Sequence, residues 1–390
     1  MKLLLACLAL LMAAPALAEN GAVTIAIVTQ EREPAQPVSP LDRESKDEGV
    51  AGARLGISDN ATTGRFTGQR FTLIERTIPK GDSPTDAIRA LAADGIRFVV
   101  ADLDAPGLKA AASVAEAREM LFLNSRAPDD EIRNEGCRAN MLHTIPSRAM
   151  LADGLAQYLM AKRWRKWFLV TGSTPGDRLL AEAYRRAAKR FGAEIVAEKE
   201  WTFKPGHART DTGHVTLQSE IPALTQVRDH DVLVVADETN EFGDYLPGRT
   251  ALPRPVAGTH GLVTTAWSAV SEQWGATQLQ ARFEKLAGRR MNAVDYAAWA
   301  AVRAIGESAI RARSSDPSVV AGHLRDPDFI LSGFKGQGQS FRPWDGQMRQ
   351  PILIAGPRLL VSVSPQAGYL HRGSELDSLG FDREESRCRL

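Results

Sequence analysis

Residues 166–203 constrain the fold more than any other part of the chain, because they combine the patterns of a strand, a turn, a helix and a second strand. An apolar run from Trp167 to Val170 is followed by Thr174-Pro175-Gly176-Asp177, a capping box with proline at the first helical position. Apolar residues then recur every three or four positions until Gly192. The segment therefore predicts a βαβ unit.

The turn of this unit, from Gly172 to Arg178, is expected to face a ligand. In open parallel sheets ligands bind beyond the carboxyl ends of the strands, where a helix start offers free N–H groups and a partial positive charge. Thr174 and Arg178 are therefore candidate ligand-binding residues. A plain surface turn is the alternative interpretation.

The same alternation of strands and helices continues along most of the chain and predicts an α/β protein with a doubly wound parallel sheet in each half. Later extended segments favour an antiparallel hairpin that closes one sheet. Strands are predicted at 23–29, 71–78, 97–103, 120–124, 141–145, 231–236, 255–258 and 261–267, helices at 48–60, 84–95, 105–119, 147–165, 215–227, 272–286 and 293–312, a turn at 63–68, and extended chain at 329–334, 339–342 and 351–364.

The first 18 residues predict a cleaved signal peptide and therefore export to the periplasm. They contain one basic residue, an apolar segment too short to span a bilayer comfortably, and Ala16-Leu17-Ala18 as a cleavage pattern. Cys7 lies in a sequence that superficially resembles a lipoprotein box, but so early a cysteine leaves little hydrophobic segment. Lipidation is the less favoured alternative.

Length and charge narrow the classes of partner. The chain has 390 residues, which favours two domains, and no later apolar run reaches membrane length. Its 48 basic and 47 acidic residues nearly balance, whereas nucleic acid or an anionic membrane normally requires a strongly basic surface. We therefore expect neither nucleic-acid binding nor membrane insertion.

Two cysteines, Cys137 and Cys388, remain after removal of the leader. Because an oxidising compartment allows them to pair, we predict a disulfide that links the polar C-terminal tail to the first half of the chain. Two separate thiols are the alternative.

No enzyme or metal signature is present. The sequence has no Walker A pattern, nucleophile elbow, H-E-x-x-H or C-x-x-C motif. His207 and His214 are interpreted as surface histidines rather than metal ligands. Asp102 and Asp104 form a possible carboxylate pair, so a secreted enzyme that uses both remains an alternative with lower weight.

The candidate ligand-binding residues share a position at predicted strand ends, where they describe a cleft rich in guanidinium groups with one flat aromatic ring. They are Arg32, Asp104, Ser125, Arg126, Thr174, Arg178, Asp237, Thr259, His260 and Trp267. Each of these residues also has an ordinary structural interpretation, as a solvated charge, a cap or a core residue.

The order of elements resembles that of the periplasmic solute-binding proteins of ABC transporters, in particular the branched-chain amino acid class with the type I fold. The likeness covers nearly all of the chain after the leader. Three segments carry it: DSPTDAIRALAADGIRFVVADL (82–103), MLHTIPS (141–147) and KWFLVTGSTPGDRLLAEAYRRAAKRFGAEIV (166–196).

This resemblance implies two doubly wound α/β lobes that are joined by a three-crossing hinge and close on a ligand. Residues 19–147 and 270–348 would form lobe 1, residues 148–269 and 349–365 lobe 2, and residues 366–390 a C-terminal tail. It also implies a binding protein without catalysis, with an ABC permease as partner.

The loop Asn124-Ser125-Arg126-Ala127-Pro128 departs from the amino-acid binders, which have small residues and a hydroxyl there. A guanidinium group suits a ligand with an additional carboxylate. Arg126→Ala is therefore expected to weaken anionic-ligand binding strongly and to leave thermal stability nearly unchanged. The acidic pair Asp237-Glu238 can still hold an ammonium group, so an amino-acid ligand remains possible.

The chain is also similar to a narrower group of receptors, those associated with alcohol oxidation that depends on pyrroloquinoline quinone (PQQ). The long proline-bearing first loop and the segments GLVTTAWSAVSEQWGATQL (261–279) and LGFDREESRCRL (379–390) carry this likeness. It implies PQQ, a flat quinone with three carboxylates, as the bound ligand. The alternatives are an amino acid, amide or other small carboxylate, and a non-transport partner of a PQQ-dependent dehydrogenase.

Overall fold

The computed structural model describes residues 21–32, 45–201 and 219–390. The predicted signal peptide, most of the long first loop, His207 and His214 lie outside these residues. No helix of the described chain is both long and apolar enough to span a bilayer.

The strands form two large sheets and one small one. In chain order they are β1 (Val23–Gln30), β2 (Phe71–Ile78), β3 (Phe98–Asp102), β4 (Leu121–Asn124), β5 (Met141–His143), β6 (Lys166–Thr171), β7 (Glu194–Glu200), β8 (Val232–Ala236), β9 (Val256–Gly258), β10 (Leu262–Thr265), β11 (Leu331–Ser332), β12 (Gly338–Phe341), β13 (Met348–Arg349), β14 (Ile352–Ala355) and β15 (Leu360–Ser364).

Helices alternate with the strands of both large sheets. They are α1 (Val50–Thr67), α2 (Pro84–Ala93), α3 (Ala105–Ala111), α4 (Arg148–Ala161), α5 (Pro175–Phe191), α6 (Ala276–Ala287), α7 (Ala293–Ala312) and α8 (Pro317–Leu324). Residues 219–225 are helical as well.

The first lobe is built on a parallel sheet of order β2-β1-β3-β4-β5. One face of this sheet packs with α1, α6, α7 and α8, and the other face packs with α2 and α3. Its central strands are apolar on both sides because both faces are covered, which is the pattern of parallel sheets. The prediction of a doubly wound α/β lobe is confirmed.

The second lobe has a sheet of order β15-β14-β10-β9-β8-β6-β7. Strands β6 to β10 are parallel, and β14 and β15 form the antiparallel hairpin at one edge that the sequence predicts. Helices α4 and α5 cover one face of the sheet. Capping by Thr174 and Asp177, which bond each other reciprocally, starts α5 where the sequence places it.

The chain passes between the lobes three times, after β5, β10 and β13. A buried lysine ties these crossings together, since Lys335 Nζ donates to the carbonyl oxygens of Ala266 (3.0 Å) and Pro351 (2.9 Å) and to Gln350 Oε1 (2.7 Å). Gln350 Nε2 donates in turn to the Thr144 carbonyl (2.6 Å). The predicted hinge of three crossings is confirmed.

The C-terminal tail connects the two lobes a fourth time. The disulfide between Cys137 and Cys388 is present, with a Cα–Cα distance of 5.6 Å, as the sequence predicts. Asp377 in the tail accepts from Arg342 of the first lobe (2.8 Å), while Glu385 pairs with two arginines on α5. The tail therefore contacts both lobes along its length.

Two local expectations were wrong, and one helix was not anticipated. The predicted turn at 63–68 is helical, because α1 continues to Thr67 and ends at Gly68 with a left-handed φ of 72°. The helix expected at 105–119 is broken into α3 and a 3-10 turn at 115–119. Helix α8 was not anticipated, although Asp316 caps it and Pro317 opens it.

Candidate functional site

A cavity of about 820 Å³ lies between the lobes, at the carboxyl ends of the parallel strands. Loops after β4, β8 and β9 reach it, together with the start of α7 and residues on β10. Its lining includes Arg126, Leu151, Leu180, Tyr184, Asp237, Glu238, Asn240, Asp244, Thr259, His260, Val263, Thr264, Trp267, Ala355 and Pro357. We call this space the cleft cavity.

The first lobe presents a wall whose charges are already paired. Arg126 donates to both carboxylate oxygens of the fully buried Asp102 and, through Nη2, to Glu48 Oε2 at 2.6 Å. Arg32 donates to the Asp102 carbonyl oxygen at 2.6 Å, and Asn292 donates to Glu48 Oε1 at 2.6 Å. Two guanidinium groups and two carboxylates thus neutralise one another.

The charge on Arg126 is retained in this network. Burial by itself lowers the pKa of Arg126, but the adjacent carboxylates of Asp102 and Glu48 raise that pKa above its ordinary value. Its Nε and Nη2 already donate to these two carboxylates, which leaves Nη1 as the nitrogen available to a ligand carboxylate. Binding of a ligand by Arg126 stays a prediction.

The second lobe organises its wall around Asp237. This carboxylate accepts three backbone N–H groups, those of Glu241 (3.0 Å), Phe242 (2.9 Å) and Gly243 (2.7 Å). The Asp237 N–H donates to Thr259 Oγ1 at 3.1 Å. Asp237 therefore holds the loop after β8 in place, because its carboxylate satisfies the N–H groups of a tight turn.

His260, Asn240 and Asp244 form the lip of this wall. Asn240, in the left-handed region with φ of 55°, places its Oδ1 2.7 Å from His260 Nε2, and Thr259 Oγ1 lies 2.9 Å from His260 Nδ1. Burial lowers the pKa of His260, although Asp237 and Asp244 act in the opposite direction. His260 is therefore a neutral imidazole that lies beside the carboxylate of Asp244, which is more than half exposed.

Glu238 takes part in an ion bridge between the lobes. Arg148, at the start of α4, donates through Nε and Nη2 to the two oxygens of Glu238 at 2.8 and 2.7 Å. Its Nη1 lies 2.9 Å from Asp129 of the first lobe. Burial raises the pKa of Glu238, while the bonds to Arg148 oppose this effect. The bridge leaves one more carboxylate than guanidinium.

The structure brings five of the ten predicted residues to the cleft cavity: Arg126, Asp237, Thr259, His260 and Trp267. Trp267 was predicted as the flat aromatic ring of the cleft, with a core position as the alternative. Its ring is 2 % exposed and stacks on Tyr296 at 5.0 Å, while its indole N–H donates to Gln280. The tryptophan is therefore a core residue that closes the cavity floor.

The other five predicted residues have structural contacts away from the cavity. Thr174 caps α5 and Asp104 caps α3, while the hydroxyl of the buried Ser125 donates to the Ala101 carbonyl. Arg178 pairs with Glu200 at the surface (2.9 Å). Arg32 bonds Asp102, as described above.

The two carboxylates of the enzyme alternative do not form a pair. Asp102 lies beneath Arg126, and Asp104 accepts the N–H of Gly107 as a helix cap. No group of three or more potential metal ligands occurs in the described chain. The arrangement is suited to binding by shape and hydrogen bonds.

The expected guanidinium-rich character of the cleft was wrong. Among the described residues, the cavity is lined by one arginine against three acids, Asp237, Glu238 and Asp244. Apolar side chains supply much of the remaining wall. The physical reason is that the arginines of this region pair with nearby carboxylates, which a count of residue types at strand ends does not reveal.

Several cavity residues were missed by the sequence analysis. Asn240 and Asp244 follow β8 closely, so their position after a strand end was a usable signal. Leu180 and Tyr184 lie on the apolar stripe of α5, which is ordinarily read as core. Thr264 lies within β10, and no sequence pattern separates it from the buried residues around it.

Comparisons with known proteins agree with this architecture. Residues 36–213 match the family model described as "Periplasmic binding protein". No curated protein shows significant similarity to the sequence.

Solved structures match over nearly the whole chain at low sequence identity. A branched-chain amino acid ABC transporter periplasmic ligand-binding protein from Burkholderia xenovorans LB400 has a TM-score of 0.70 and 16 % identity, covering 94 % of this chain and 99 % of its own. The leucine-, isoleucine-, valine-, threonine- and alanine-binding protein from Brucella ovis, in its closed conformation, has a TM-score of 0.67 and 16 % identity, covering 93 and 96 %.

A solute-binding protein from Rhodopseudomonas palustris BisB5, in complex with 3,4-dihydroxybenzoic acid, has a TM-score of 0.64 and 13 % identity, covering 88 % of this chain and 97 % of its own. These likenesses show that the chain has the type I periplasmic binding protein fold. The narrower resemblance to PQQ-associated receptors stays a prediction.

Proposed function

We propose that this protein is a periplasmic receptor that captures a small neutral or zwitterionic solute in the cleft cavity and presents it to an ABC permease, without chemical turnover. The observation that carries the proposal is the cavity itself. It lies between two lobes joined by three crossings, and its size falls within the range of small-molecule sites.

The charges around the cavity favour this class of solute. Asp237 is fully engaged by backbone N–H groups, and the ion bridge of Glu238 with Arg148 and Asp129 carries one net negative charge. Asp244 makes no hydrogen bond within the described chain and is accessible at the lip. An ammonium group or a neutral donor is better suited to these acidic surroundings than a polyanion is, because like charges repel in a partly desolvated site.

PQQ, the ligand implied by the sequence resemblance, is the second candidate. Arg126 in the cavity wall is the observation that favours it. A carboxylate of PQQ would compete with Asp102 and Glu48, which already accept from the Nε and Nη2 of this guanidinium. We therefore expect PQQ to disturb the first-lobe wall more than a neutral or zwitterionic solute does.

The relatives support the choice of solutes for a test. The Burkholderia and Brucella proteins are described as amino acid binders, and the Rhodopseudomonas protein holds an aromatic acid. The fold also fits an exported receptor with a permease partner. The alternative function, a receptor that serves a periplasmic dehydrogenase, is compatible with the same fold. The two functions differ in the protein with which the receptor would co-purify.

Titration calorimetry on the oxidised protein, freed of endogenous ligand by unfolding and refolding, tests the proposal. The panel contains branched-chain and aromatic amino acids, their amides, benzoate, hydroxybenzoates and PQQ. We expect micromolar or tighter binding of at least one neutral or zwitterionic member and weaker binding of PQQ. Tight binding of PQQ alone would overturn the proposed ligand class, and an absence of binding across the panel would overturn the proposed function.

A further inference from the structure

The cleft cavity has an apolar part on the second-lobe side, which we call the apolar branch. It is lined by Leu151 on α4, Leu180 on α5, and Val263, Ala355 and Pro357. A branch with this lining binds the apolar body of a solute by removing it from water. Its few polar groups therefore decide which solutes are accepted.

Tyr184 is one of these polar groups. It projects from α5 into the same lining and is 1 % exposed. Its hydroxyl has no hydrogen-bond partner in the described residues, whereas buried tyrosine hydroxyls usually have one. Burial, followed by the nearby Glu238, raises the pKa of Tyr184, so the hydroxyl keeps its proton and remains a donor.

Thr264 is a second unpartnered group of the same branch. It lies on β10, is 7 % exposed, and its hydroxyl makes no hydrogen bond within the described chain. Neither hydroxyl is among the fully enclosed polar atoms without a partner, so both are accessible from the cavity and available to a bound molecule. The nearby carboxylate, Glu238, is already bonded to Arg148.

We propose that Tyr184 is a specificity-determining residue, whose hydroxyl donates to an oxygen at the inner end of a solute with an apolar body. This inference rests on the proposed function and narrows its solute class to compact apolar molecules that carry a terminal hydroxyl or carbonyl oxygen. Thr264, which lines the same cavity, supplies a second hydroxyl that is available to the solute. A hydrocarbon end of the same size leaves both hydroxyls unsatisfied and binds less well.

The test uses pairs of probes that differ by one oxygen: L-tyrosine with L-phenylalanine, and 4-hydroxybenzoate with benzoate. Calorimetry on the wild-type protein is expected to show a five- to tenfold preference for the oxygenated member of at least one pair. Tyr184→Phe keeps the ring and removes the oxygen, so the preference should fall to about twofold or less. Affinity for the member without the oxygen should change little.

Tyr158→Phe is the matched control, because Tyr158 is a buried tyrosine of the same hydrophobic cluster that does not line the cavity. It should leave the preference intact. In the ligand-free protein, Tyr184→Phe should keep or raise the melting temperature, whereas a structural role for the hydroxyl predicts a lower one.

The inference is overturned if Tyr184→Phe retains the wild-type preference, or if neither pair binds with a preference for the oxygenated member. If other members of the panel still bind in that case, only this inference fails and the proposed function stands. If nothing in the panel binds, both fail.

Discussion

The two walls of the cleft cavity differ in what their polar residues do. On the first-lobe side, Arg126, Arg32, Asp102 and Glu48 bond one another and form a closed network. On the second-lobe side, Tyr184 and Thr264 make no hydrogen bond among the described residues, and Asp244 has only His260 nearby, at 3.8 Å. The difference teaches that the highly charged first-lobe wall supports the structure, whereas the second-lobe wall is the one that we propose selects a solute.

The largest expected effect comes from removing the disulfide that links the C-terminal tail to the first lobe. Replacing both Cys137 and Cys388 by serine opens a link across a sequence separation of 251 residues. We expect a loss of about 4 kcal/mol in the free energy of unfolding, since the denatured chain gains conformational freedom. Urea unfolding without reductant measures it. An unchanged urea midpoint would show that the ionic contacts of the tail suffice.

The next effect separates a structural wall from a binding wall. Arg126→Met leaves the fully buried Asp102 with only the partly exposed Arg32 as a charged partner, so the free energy of unfolding should fall by about 3 kcal/mol. This replaces the sequence-based expectation of unchanged stability. Thermal and urea unfolding measure the loss.

The double variant Arg126→Met with Asp102→Asn is the control, because it removes the unpaired charge as well. Part of the lost stability should return in it. If Arg126→Met keeps full stability and strongly loses PQQ binding, the first-lobe wall is the binding wall and our assignment is contradicted.

A smaller effect depends on pH and arises on the first-lobe side. Burial, followed by the positive charges of Arg133 and Arg325, lowers the pKa of His143 well below its usual value. Below about pH 6.5 the unfolded chain binds a proton that the folded chain excludes, so stability falls on acidification by up to about 1.4 kcal/mol per pH unit. Urea midpoints at pH 7.5, 6 and 5 measure this slope.

His143→Gln should remove that contribution to the slope, because glutamine does not titrate and can keep the contact with Asn124. An equal slope in the variant would mean that other groups cause the acid sensitivity.

The smallest expected change in stability belongs to the second-lobe lip. Asp244→Asn removes an exposed carboxylate without a hydrogen bond in the described chain, so the free energy of unfolding should change by less than about 0.5 kcal/mol. Affinity for a zwitterionic solute should fall a few-fold, and more so at low salt. Asp94→Asn, an exposed acid outside the cavity, is the control for nonspecific charge. Equal changes in affinity in the two variants would exclude a specific role of Asp244 in solute binding.

The sequence predicts those features that depend on neighbours along the chain. Thr174 and Asp177 are three residues apart, so their capping box is visible in the sequence and starts α5 correctly. Apolar runs predict most strands because both faces of the sheets are buried. The disulfide was predicted from two cysteines and an expected export signal.

The role of each cleft residue depends on partners far away in the sequence. Arg126 is neutralised by Glu48, 78 residues earlier, and Trp267 is covered by Tyr296 on α7. Tyr184 occupies an apolar stripe that predicts only burial. Such contacts arise when the lobes pack, so residue types at strand ends indicate where a cleft lies but not which side chains remain free to bind.

The most direct test is a crystal structure of the oxidised protein with the tightest-binding member of the panel. We predict electron density for the solute in the cleft cavity, with its polar head near Asn240 and Asp244, its apolar body along Leu180, and the Arg126 ion pairs intact. A solute bound elsewhere, or one held by Arg126 after release of Asp102, would contradict the account.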